Sequence, residues 1–152
     1  MQLFGYDVSQ NLLPKSMGRC SFLNLDVTDE RVRIEDASIV FSVFTLCFIP
    51  LDRRQSVVNK IFDGLTKGGA FICTEKVYSS HSKIQDIFTF LYYDYKKKRF
   101  SAKEILEKEE ALRQIQAPLT IEENVEMFKT AGFKVVGMFW KHYQFAGWIC
   151  MK

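Results

Sequence analysis

Between Ile61 and Lys76 a helical apolar period gives way, across Gly68-Gly69, to the apolar run Ala70 to Thr74. One element cannot carry both periods, so this stretch is predicted to be a helix, a reversal and a buried strand. Upstream, Val57, Val58, Ile61, Phe62 and Leu65 recur at the three-and-four spacing of one helical face, and Pro50 with Asp52 supplies a start. The helix is predicted to end near Leu65, and the double glycine permits the positive φ of a tight turn into the strand. An αβ unit of this kind needs a sheet around it.

The other apolar runs supply that sheet. Gln2 to Tyr6 reads as a short strand ending at Asp7, and Cys20 to Leu25 as another ending at Asp26. Ala37 to Ile49, the longest nonpolar segment, is rich in β-branched and aromatic residues and reads as a central parallel strand covered on both faces. Ser80 to Tyr95 returns to helical spacing, with Ile84, Ile87, Phe88, Leu91 and Tyr95 on one side. It ends in Lys96-Lys97-Lys98-Arg99, where cations complement the helix dipole. Ser101 with Glu104 and Thr120 with Glu123 have capping-box spacing, and the second of these helices should stop at Gly132. Phe133 to Trp140 and Phe145 to Met151, joined by four residues, fit an antiparallel hairpin. The fold class is therefore α/β: one domain over residues 1–152, a mainly parallel sheet with an antiparallel C-terminal hairpin and helices on both faces. In open sheets of this class ligands sit beyond the carboxyl ends of the strands. Asp7, Asp26, the Val43 to Cys47 segment and Glu75 are thus predicted to converge on one edge.

Composition narrows the function classes. The net charge of +3 neither requires nor excludes nucleic acid, although Lys96 to Arg99 could meet RNA phosphate. An aromatic content of 14% implies a large core or an apolar face awaiting a partner. Three of the four cysteines lie inside apolar runs, which suits buried thiols in a reducing compartment. With no signal peptide and no spanning run, the expectation is a cytoplasmic protein without a membrane partner. His81 and His142 are far apart and no Ser, Cys or His signature marks a nucleophile, so no metal ligand and no catalytic residue is assigned.

Taken together, Gly5-Tyr6-Asp7-Val8-Ser9, Leu25-Asp26-Val27, Phe44 to Phe48, Arg54-Gln55, Gly68-Gly69-Ala70, Thr74-Glu75-Lys76, Asp94-Tyr95-Lys96 and Ala131-Gly132-Phe133 resemble the class I S-adenosylmethionine-dependent methyltransferases. Within them the chain looks like the carboxy-S-adenosylmethionine synthases, which serve the modification of wobble uridine in tRNA. The likeness covers nearly the whole chain and implies a Rossmann-like sheet and S-adenosylmethionine or carboxy-S-adenosylmethionine as cofactor. By that resemblance Asp7 would accept from the ribose hydroxyls and Val8 would pack on the adenine. Asp26 would accept from the exocyclic amine, and the Val27 amide would donate to a ring nitrogen.

Three departures bear on activity. The family's first strand and glycine-rich loop precede the position of Gln2, and no G-x-G stands elsewhere in the chain. A family asparagine at the end of the central strand is replaced at Val43, and a family arginine that meets the ligand's carboxylate is replaced at Glu109. The resemblance also places the first strand between those ending at Asp7 and Val43, so a truncated sheet would expose two edges. Direct pairing, a second copy or another polypeptide must then close them, and the expectation is a homodimer or larger assembly. Two functions stay open. One is a shortened binding or interaction protein unable to hold the cofactor alone, which the residue chemistry favours. The other is a transferase completed by oligomerisation or by a complementing subunit.

Overall fold

The computed structural model describes residues 3–7 and 20–152. The adenine contact expected of Val8, and the turn or helix expected after it, lie outside the described residues.

Strands β1 (Leu3–Asp7) and β2 (Cys20–Asn24) pair in parallel, with Leu3 opposite Cys20 and Asp7 opposite Asn24. A second sheet runs in the order β3 (Ala37–Val43), β4 (Leu65–Tyr78), β7 (Phe145–Met151), β6 (Val135–His142), and the two-residue β5 (Leu119–Thr120) pairs with the end of β4. β3 and β4 are parallel, whereas β4–β7 and β7–β6 are antiparallel. The α/β class and the closing hairpin thus match what the apolar runs predict. Among the described residues no strand pairing joins β1 to β3, so direct closure of the two expected edges does not form.

Two elements differ from the sequence reading. Ala37 to Ile49 is not one central strand: β3 stops at Val43, stands at the end of its sheet, and is followed by a 3-10 turn at Leu46–Phe48. Phe44 at φ 51° breaks the extended run, and Leu46, Cys47 and Ile49 are buried by turning inward. Nor does the double glycine separate helix from strand. Helix α1 (Leu51–Gly64) passes straight into β4, and the register jumps from Ala37 opposite Leu65 to Ile39 opposite Ala70. Gly68, at φ 78°, lies in that irregularity, where its N–H donates to the Lys152 carbonyl and the Lys152 N–H donates to Gly69.

The core lies on one face of the larger sheet. Val57, Val58 and Ile61 of α1 and Met127 and Phe128 of α4 (Ile121–Thr130) cover Phe71 and Cys73 of β4 and Trp148 and Cys150 of β7. Strand alternation sends these residues to one side, and Phe128 meets Phe71 and Trp148 edge-on at 5.8 and 5.7 Å. Burying each such side chain contributes about 1.5–3 kcal/mol. Helix α2 (Ser82–Lys96) reaches the opposite face at its far end, where Tyr92 packs on Phe145 at 5.2 Å. None of its residues is buried, and Ile84, Ile87 and Leu91 of its predicted apolar side are exposed. On that same sheet face Ile39, Phe41 and Val43 of β3 are also exposed, at 53, 64 and 61%.

Both capping boxes form, on α3 (Ala102–Arg113) and on α4. The Glu123 N–H donates to Thr120 Oγ1 at 3.1 Å, and the Thr120 N–H donates back to Glu123 Oε2 at 2.7 Å. Thr120→Ala is therefore expected to lower the unfolding free energy by about 1 kcal/mol in urea titrations. An unchanged midpoint would mean that α4 does not depend on its box.

Candidate functional site

The strand ends predicted to face a ligand are organised by two buried charges, one of each sign. Glu75 of β4 is 1% exposed and its carboxylate turns inward. It accepts backbone N–H bonds from Thr45, Leu46 and Cys47 at 3.0, 2.8 and 3.0 Å. Arg54 of α1, also buried, donates to the carbonyls of Ile49 at 2.8 Å and Cys47 at 3.1 Å. The segment after β3 is held by its donors through an acid and by its acceptors through a base. Burial raises the Glu75 pKa, against the lowering effect of its hydrogen bonds, and lowers that of Arg54. Glu75 thus meets the Val43 to Cys47 segment, as the strand-end reading expects, but its carboxylate is buried and engaged by three backbone bonds.

The remaining predicted residues divide between the two sheets. Asp7 and Asp26 stand at the same end of the parallel pair β1–β2, Asp7 opposite Asn24 and Asp26 two residues beyond it. The Asn24 side chain donates to the Asp7 carbonyl at 2.9 Å. Asp26 is exposed, and its Oδ1 accepts the Thr28 N–H at 2.8 Å in a local turn. Val27 is part-buried against the core, and its carbonyl accepts from Lys60 Nζ of α1 at 3.0 Å; the same ammonium donates to the Asp29 carbonyl at 2.8 Å. Val43 ends β3 with its side chain exposed. The structure brings Asp7, Asp26 and Val27 to one end of the small sheet and places Val43 at the carboxyl end of β3 in the other.

Glu109 is not an isolated negative charge. It pairs with Lys96 of α2 at 2.7 Å and with Lys76 of β4 at 3.8 Å. Lys76 Nζ also donates to Gln116 Oε1 at 3.3 Å, and burial holds its pKa down. Cys47 and Cys150 are pushed up to about 12 by burial, so neither is a thiolate near neutral pH. Among the described residues no group of His, Cys, Asp and Glu is placed to hold a metal ion.

Sequence reasoning named Arg54, Lys76 and Lys96 only as parts of the resemblance and Glu109 as a charge reversal; it foresaw neither the carbonyl contacts of Arg54 and Lys60 nor the Lys76–Glu109–Lys96 triad. Arg54 had a signal: it lies three and four residues before Val57 and Val58, on the stripe that the helix buries.

No family model matches the chain. Individual relatives do. The carboxy-S-adenosyl-L-methionine synthase of Nautilia profundicola is 31% identical over 160 residues, which take in all of this chain and 68% of the relative. The chain belongs to the carboxy-S-adenosyl-L-methionine synthase family. The synthases of Sulfurimonas denitrificans and Methylococcus capsulatus are 35 and 33% identical, each with 66% of its length covered. The chain thus spans about two thirds of the length of these synthases. Two solved structures share the fold of this synthase-family chain at low identity. A chain of the complex between the Trm112 methyltransferase activator and a methyltransferase of Haloferax volcanii aligns at TM-score 0.69 and 15% identity, covering 99% of this chain and 71% of that one. Human N-acetylserotonin methyltransferase, solved with SAM, aligns at TM-score 0.63 and 12% identity over 99% of this chain and 40% of that one. Both are methyltransferase folds, as the resemblance implied. No described helix is long and apolar enough to cross a membrane.

Proposed function

We propose that the chain is the nucleoside-holding part of a carboxy-S-adenosylmethionine synthase-type site, made competent for transfer by a polypeptide that pairs between β1 and β3. The placement of Asp7 and Asp26 at one end of neighbouring parallel strands carries this reading. Two carboxylates there offer acceptors for the hydroxyl and amino donors of an adenosine, the chemistry that the S-adenosyl cofactors present. Asp7 and Asp26 would hold the nucleoside, with Val27 and Val8 against the base. The cofactor, when bound, would supply a sulfonium whose positive charge activates the one-carbon group attached to it.

The methionyl end finds less. Val43 offers no side-chain hydrogen bond, and Glu109 is already engaged by two lysines. Among the described residues no strand pairs with β1 on the side away from β2 or with β3 on the side away from β4, and a complementing strand would find its backbone partners there. Glu109 and Val43 favour the second reading, an interaction protein that keeps the fold without the cofactor.

Isothermal titration with S-adenosylhomocysteine separates the two. A Kd below about 100 μM, roughly 5.5 kcal/mol, weakened at least about tenfold by Asp7→Ala and Asp26→Ala, supports the nucleoside site. Silence from the folded chain, in dimer and monomer fractions alike, supports the interaction protein.

A further inference from the structure

The end of α2 and the closing hairpin build a surface unconnected with the strand-end carboxylates. Trp140 and His142 of β6 lie with rings nearly parallel, 20° apart and 6.3 Å between centroids. His142 meets Tyr95 of α2 edge-on, at 68° and 5.7 Å, and Tyr95 lies nearly parallel to Tyr92, at 16° and 6.3 Å. The rings form a continuous strip, with Trp140, His142 and Tyr95 open to solvent. At its α2 end the strip opens into a cavity of about 150 Å³ between α2 and α3, walled by Tyr92, Tyr95 and Phe100 and flanked by Arg99 and Lys108. Cavities of that order accept a benzene-sized ring.

Charge separates this surface from an ordinary apolar patch. One acid, Glu104, also lines the cavity. Glu104 accepts from Ser101 at 2.8 and 2.7 Å, and Glu109 pairs with Lys96. Arg99 and Lys108 form no ion pair among the described residues, and both are exposed. Flat π faces interleaved with uncommitted cations match one ligand chemistry, a base carried on a phosphodiester. An acidic peptide would not need the rings.

We infer that this strip binds single-stranded nucleic acid, one base entering the α2–α3 cavity while Arg99 and Lys108 meet the adjoining phosphates. The site does not depend on the cofactor reading and survives its failure.

Fluorescence anisotropy on the whole chain tests it, with a fluorescein-labelled mixed-sequence RNA of about 12 nucleotides, the same sequence as single-stranded DNA, and the RNA duplex. The single strands are expected to bind more tightly than the duplex, and the RNA and DNA arms identify the source. Tyr95→Leu and Phe100→Leu, exposed positions whose folding is verified by circular dichroism, are expected to weaken single-strand binding about 5- to 100-fold. The double variant Arg99→Gln/Lys108→Gln is expected to reduce the slope of log affinity against log salt by about 1.4, near 0.7 for each lost phosphate contact. Absence of single-strand binding at low salt, equal binding of duplex, or aromatic variants that bind like the parent would each overturn the assignment.

Discussion

Glu75→Ala is expected to lower the unfolding free energy by about 3–5 kcal/mol, enough to leave a chain of this size marginal. The side chain is 1% exposed and satisfies three backbone donors at once. Each buried N–H left without an acceptor costs about 1–3 kcal/mol, and the losses are not fully additive because the loop can partly relax. Truncation also leaves Arg54 without the nearest buried opposite charge. Guanidinium denaturation at neutral pH measures the loss; a change below about 1 kcal/mol would show that the loop finds other acceptors.

The pH dependence follows from the direction of the Glu75 shift. Because burial raises its pKa in the folded chain, the protonation-linked part of its contribution, separate from the three hydrogen bonds, is fully present below the unfolded value of 4.5. It is lost as pH rises through the folded value. The stability gap between the parent and Glu75→Gln should therefore narrow as the pH is raised above 4.5.

Gly64→Ala is the second large effect, an expected loss of at least about 2 kcal/mol despite the better helix propensity of alanine. A Cβ at position 64 would lie 2.2 Å from the Ile34 carbonyl oxygen and 2.6 Å from its carbon. Both are backbone atoms, so the loop before β3 must move away from α1. In thermal melts the loss corresponds to about 4–8 °C for a chain of this length. Gly137→Ala provides the contrast, since the nearest atom to its added Cβ is Ile149 Cγ2 at 3.8 Å. That variant should melt within a degree or two of the parent.

Legibility from sequence followed the range of the interactions. The two capping boxes, the hairpin and the end of α1 are local, and residues within four positions of one another specify them. The fate of Ala37 to Ile49 was not local. Apolar content says that Leu46 and Cys47 are buried, but Glu75, 29 and 28 residues away, makes a turn cheaper there than further strand. The double glycine misled for a similar reason, because the partner that bulges it, Lys152, lies at the other end of the sequence. The strand-end positions of Asp7 and Asp26 were legible from the apolar runs that precede them. Arg54 was hidden because a cation on a helix is ordinarily read as solvated, and the Glu109 triad joins three elements that no spacing connects.

The segment between Val43 and Pro50 is fixed entirely by groups of this chain: Glu75 below, Arg54 beside it, and the Ala117 amide on the Cys47 carbonyl at 2.9 Å. The complementing strand proposed for β3 would meet a rim whose conformational freedom is already surrendered on folding. The newcomer has only its own backbone to immobilise, which favours tight assembly from a modest contact.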